Sequence, residues 1–156
     1  MSEAYTVSIY MTPMSFPLNF TVHTWVELEG PNDEHHRFDF WGYKGIRERE
    51  IDHGYVYKDL FPDHLGTTFS PFADPGSIEK RQHGKVYMSI SGDVDSEAHT
   101  LYAVILGHAF DYPLKHDYNM VFGPNCNTFT QWLITRIPNS PLKLPFNAWG
   151  KGYQVL

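Results

Sequence analysis

The sequence predicts an α+β fold, on three observations. A strand–turn–strand pattern lies near the N-terminus. Further strand candidates follow in the middle of the chain. Two later stretches carry helical apolar spacing. At 156 residues the chain fits one domain, 1–156, long enough to bury roughly two-thirds of its unfolded surface. Hydrophobic residues make up 42% and aromatics 16%, so material for a core is ample, while charged residues are only 19% and form no blocks. The expectation is an antiparallel sheet of about five strands with two helices packed on it.

Residues Ala4 to Met11 alternate and carry Tyr, Val and Ile, which suits a first strand before Pro13 and Pro17. Phe20 to Glu29 reads as a second, with Val22, Val26 and Leu28 on one face and Thr21, His23, Trp25 and Glu27 on the other. Gly30-Pro31-Asn32-Asp33 is a turn, and Arg37 to Tyr43 returns as the partner of a hairpin. The segment from Lys44 to Gly84 is rich in Gly, Pro, Asp and aromatics; it holds a strand near Tyr55 to Leu60 and a long loop around Ser70-Pro71-Phe72. Lys85 to Ser91 is another strand. Asp95-Ser96-Glu97 caps a helix that runs to about Phe110, with Leu101, Val104, Ile105 and His108 on its spacing and Pro113 as its stop. Asn125 caps the last helix, which puts Cys126 at the first helical position; Phe129, Trp132, Leu133 and Ile137 form its apolar face and Pro138 ends it. The stretch from Leu144 to Leu156 is expected to wrap back over the body.

Composition narrows the function. A formal net charge of -6, with Lys and Arg scattered singly, argues against a nucleic-acid partner. No apolar run approaches the ~18 residues of a membrane helix. The N-terminus lacks the basic start and apolar core of a signal peptide, so a cytoplasmic location is the expectation unless a dedicated secretion system exports the protein. One cysteine excludes an internal disulfide and any multi-thiolate zinc site. The nine histidines raise the question of metal. Asp33 with His35 and His36, or Asp95 with His99, are the groupings on offer, but neither completes a signature such as His-Glu-x-x-His. No metal or other cofactor is assigned.

The single thiol carries the strongest chemical signal. At a helix N-terminus Cys126 meets unpaired backbone N–H groups and the positive end of the helix dipole, and both favour the reactive thiolate. Its Asn-Cys-Asn setting after Gly123-Pro124 is more polar than a core-filling cysteine needs. The same N–H groups suit an oxyanion hole. A thiolate nucleophile also needs an imidazole, and His23 is the best partner among the nine, although a mid-strand histidine is often only half-buried packing.

A strand His-x-Trp near the N-terminus and a late Asn-Cys opening an amphipathic helix resemble the circularly permuted papain-like cysteine enzymes. These include lecithin:retinol acyltransferase-like proteins and permuted relatives of the bacterial cell-wall peptidases. Asn125, Cys126 and Phe129 match the Asn-Cys-x-x-Phe start of the acyltransferase-like helix, and the order of His23 before Cys126 is the permuted one. The resemblance implies a thiolate–imidazole pair with a third polar residue on the strand after the histidine. A second resemblance covers more of the chain. His23-Thr24-Trp25, Gly123 to Phe129, and Leu144-Pro145 with Ala148 to Lys151 are similar to a bacterial domain family of unknown function. Its members often carry serine at the position of Cys126, which also allows a structural role there and a shared binding cleft.

A hairpin turning around Asn32 sets the residue diagonal to His23 near Asp39, where a carboxylate would orient the imidazole and stabilise its charged form; an ordinary solvent-facing strand residue is the equally weighted reading of Asp39. His35 and His36 are its rivals, and their plainer setting is a solvated turn. Asn125 and Asn127, which flank Cys126, are candidates for the oxyanion hole, with helix capping as the ordinary role of Asn125. Trp25, beside His23, is the candidate substrate contact. The expected function is a cysteine hydrolase or acyltransferase cleaving an amide, isopeptide or ester bond of a peptide-like or acyl substrate. The competing expectation is a non-catalytic binding module using the same cleft.

Overall fold

The computed structural model describes residues 4–14, 20–43, 53–58, 84–113 and 124–155, with backbone alone for 41–43 and 53–58. Its strands are β1 (Tyr5–Pro13), β2 (Val22–Gly30), β3 (Glu34–Tyr43), β4 (His53–Lys58) and β5 (Lys85–Gly92). They form one sheet in the order β4-β3-β2-β1-β5, antiparallel at every pairing. Helix α1 (Glu97–His108) runs into a single 3-10 turn, Ala109–Asp111, and helix α2 spans Cys126–Ile134. The fold is α+β. Among the described residues, no helix is long and apolar enough to cross a membrane.

The hairpin of β2 and β3 is tighter than the sequence suggests. Asn32 and Asp33 both take left-handed backbone angles, φ 61° and 62°, which short Asx side chains tolerate best. Pairing therefore resumes at once with Gly30 opposite Glu34, and β3 begins at Glu34 rather than Arg37. That places His35 and His36 in a strand, not in a solvated turn. β1 runs past Met11 because Thr12 and Pro13 still pair with His23 and Val22. The first helix is capped by Ser96, whose hydroxyl accepts from His99 N at 3.1 Å. α2 stops at Ile134, short of Pro138; Arg136 Nε and the Thr135 hydroxyl donate to carbonyls of its last turn. The expected extension of β4 to Leu60 and the loop at Ser70-Pro71-Phe72 lie outside the described residues.

Both helices cover one face of the sheet, α1 over β1 and β5 and α2 over β2 and β3. Val7, Ile9, Val26, Leu28, Phe38 and Phe40 point up from the strands. Leu101 and Ile105 from α1 and Phe129, Leu133 and Ile134 from α2 meet them. Leu142, Leu144 and Ala148 close the layer, so the C-terminal stretch does wrap back onto the core. Burial at the start of β2 does not alternate: Val22 through Val26 are all buried, which encloses His23 and Trp25 as fully as the aliphatic residues. The polar face of the hairpin is thus interior around His23, Trp25, Arg37 and Asp39, while Glu29 and His35 nearer the turn stay exposed.

Candidate active site

Helix α2 begins where the sequence places its cap. Asn125 is extended, with φ -145° and ψ -167°, and its Oδ1 accepts from Asn127 N at 2.9 Å and Thr128 N at 3.2 Å. The Thr128 hydroxyl accepts from Asn125 N at 3.0 Å, closing a capping box with threonine in the usual Glu or Gln position. Cys126 is therefore the first helical residue, facing the positive end of the helix. It is only 3% exposed.

His23, the second residue of β2, lies beside this turn. Its Nε2 donates to Asp39 Oδ1 at 3.1 Å, and the Cys126 side chain acts on the same ring through a hydrogen bond and through charge. With Nε2 engaged by the carboxylate, Nδ1 is the ring atom left to face sulfur. The other oxygen of Asp39 accepts from Arg37 Nε at 2.7 Å, and the Arg37 guanidinium lies 4.0 Å over the Trp25 ring. All of this is interior: His23, Arg37 and Asp39 are at most 4% exposed.

Register explains the assembly. Glu27 pairs with Arg37 and Val26 with Phe38 across the hairpin, so Asp39, two residues along β3 from Arg37, returns to the same face and comes diagonal to His23. Burial by itself penalises the charged forms of both His23 and Asp39. For His23, the charge on Cys126 and hydrogen bonds to Asp39 and Cys126 outweigh that penalty and raise its pKa above the ordinary 6.5. For Asp39, the Arg37 charge and the His23 contact likewise win and hold the carboxyl below 3.8. The fold favours an imidazolium beside an ionised carboxylate.

The remaining candidates are placed differently. Asn127 is 2% exposed and its amide is engaged on three sides: Nδ2 donates to Val22 O at 2.9 Å and Trp149 O at 2.8 Å, while Oδ1 accepts from the Thr24 hydroxyl at 2.7 Å. An amide so held is not turned toward an oxyanion. Asn125 is the cap, and its Nδ2 donates to Trp149 O at 3.0 Å. Trp25, expected to touch substrate, has no exposed surface; it donates from Nε1 to Glu27 at 2.8 Å and packs 5.5 Å from the His23 ring. His35 shares the Asp39 side of β3 but pairs with Glu27 at 2.6 Å, and His36 is on the opposite pleat against Tyr102. Neither approaches the role of the third residue. His99 Nδ1 accepts from Asp95 N at 3.1 Å, and among the described residues no three potential ligands gather for a metal. Gly123 lies outside the described residues.

Two features escaped the sequence reading. Arg37 is one: its signal was the Arg37-x-Asp39 alternation, which puts a cation on the carboxylate's own face. The other is how the returning segment from Asn147 to Gly150 is pinned: the Thr21 hydroxyl donates to Asn147 O at 2.7 Å and accepts from Trp149 N at 3.1 Å. The Thr128 hydroxyl adds a 2.7 Å bond to Gly150 O. No local pattern announces contacts between chain ends more than a hundred residues apart.

A family model described as "Protein of unknown function (DUF3750)" matches residues 4–153, and the chain belongs to that family. No curated protein and no solved structure matches it.

Proposed function

We propose that this member of the DUF3750 family is a cysteine hydrolase or acyltransferase that cleaves an amide, isopeptide or ester bond. The observation that carries the reading is the chain's one thiol, set at a helix start against an imidazole whose far nitrogen is anchored by a buried Asp39–Arg37 pair. Each part has a use. Nδ1 of His23 takes the thiol proton, and Sγ adds to the carbonyl carbon of the substrate. Backbone N–H groups at the start of α2 stabilise the oxyanion, with Cys126 N–H foremost. His23 returns the proton to the leaving amine or alcohol as the C–N or C–O bond breaks, leaving a thioester on Cys126. Water, or an acceptor nucleophile in a transferase, then releases the acyl group. Asp39 holds the imidazole in one orientation throughout.

The resemblance to circularly permuted papain-like enzymes supports the same roles through the order His23 before Cys126. A peptide-like or acyl substrate fits this chemistry, and the net charge of -6 disfavours nucleic acid. The second reading is a binding module built on the same residues, favoured by the near-complete burial of Cys126. Incubation with p-nitrophenyl acetate separates the two. An acyltransferring thiol gives a burst of p-nitrophenolate stoichiometric with protein and an acetyl adduct on Cys126 by intact mass and peptide mapping. His23→Ala abolishes both. Release no faster than from Cys126→Ala, without an adduct, would leave the binding module as the better account.

A further inference from the structure

We infer that Asn127 is the positioning residue of the site, the clip that sets the distance between Cys126 and His23. This rests on the thiolate–imidazole reading above. Asn127 directly follows the thiol on α2, and its side chain grips β2 at both neighbours of the imidazole, Val22 through its carbonyl and Thr24 through its hydroxyl. The third bond, from Nδ2 to Trp149 O, fixes which way the amide faces and ties in the C-terminal segment. Such an amide offers two donor hydrogens and one principal acceptor, and each has a partner at 2.9 Å or less. Because the amide and its two partners on β2 are buried, a mismatched replacement costs the desolvation of those partners. A hydrophobic contact would hold helix to strand, but it slides. Two directed bonds to β2, with the third to the C-terminal segment orienting the amide, fix the start of α2 along β2 as well as against it. Thr130 adds a parallel tie one turn on, its hydroxyl donating to Thr24 O at 3.2 Å. The asparagine flanking the nucleophile therefore serves alignment of the pair, not the oxyanion.

The test is a cycle of alkylation rates with iodoacetamide at pH 6, comparing His23 with His23→Ala in each of two backgrounds, wild type and Asn127→Ala. In the wild-type background the histidine accelerates alkylation about tenfold or more. In the Asn127→Ala background the ratio falls to within about twofold of unity, although circular dichroism remains native. A role confined to stability would lower the melting temperature and leave the ratio intact, which overturns the inference. If Asn127→Ala does not fold, Thr24→Val removes one of the three bonds at constant shape and lowers the ratio. Thr24→Ser, which keeps the hydroxyl, restores it; equal ratios in the two Thr24 variants contradict the proposal. A wild-type ratio near unity refutes the dyad itself, a different failure from a ratio that survives loss of Asn127.

Discussion

Asp39 is the residue on which the electrostatics turn. Replacing it with Asn keeps the shape but leaves Arg37 buried without its carboxylate, and removing one partner of such a pair costs about 3 kcal/mol or more. Urea unfolding of Asp39→Asn at pH 7 should show that loss. The pH dependence has a definite sign. Asp39 is held below 3.8 in the fold, so its contribution is complete above that pH and fades as pH falls through the lower folded value. His23 is raised above 6.5, so the stability linked to its imidazolium is complete below 6.5 and fades as pH climbs through the folded value. Unfolding midpoints between pH 3 and 9 should therefore decline at both ends in wild type. In His23→Ala the alkaline decline should be smaller. At this scale the sequence was legible in part: alternation and a turn position brought Asp39 forward as a partner for His23 but left His35 and His36 as rivals, and the 3.1 Å bond to His23 distinguishes it. Asn127 was not legible, because its amide partners lie on β2 and at the C-terminus, and no local spacing encodes them.

The start of α2 is an element with its own balance. Asn125→Ala removes the bonds to two orphan amides and should cost about 1 kcal/mol, as cap removals do. Gly150 has φ 95°, and a Cβ there would fall 2.4 Å from the Asn125 amide. Gly150→Ala should therefore destabilise by about 1 kcal/mol or more and slow Cys126 alkylation, since it disturbs the cap directly before the thiol. A denaturation curve paired with an alkylation rate checks each variant. Cap chemistry made this helix start readable from sequence, as it did the Ser96 cap of α1. The helix end was read too far, because Pro138 is an obvious stop while Arg136 and Thr135 close the last turn by side-chain bonds that leave little trace in a pattern.

Among the described residues, one helical layer covers one face of a five-stranded sheet, and the polar side of the β2–β3 hairpin is buried around His23, Trp25, Arg37 and Asp39. Leu133, fully buried beside Phe129 and Ile134, anchors α2 to that layer; Leu133→Ala should cost 2–5 kcal/mol, roughly, by cavity formation. Fold class and strand positions were legible because period-2 stretches and turn residues mark them. Burial of the His23 face was not, since Thr, His and Trp at alternate positions read equally well as a solvent side. The central claim is that this buried face holds an ion-paired nucleophile. Its most direct measurement is the pH profile of Cys126 alkylation by iodoacetamide in wild type and His23→Ala. The account predicts reaction persisting well below the ordinary thiol pKa of about 8.5 and lost without His23. A profile that rises only near 8.5, identical in both proteins, would contradict it.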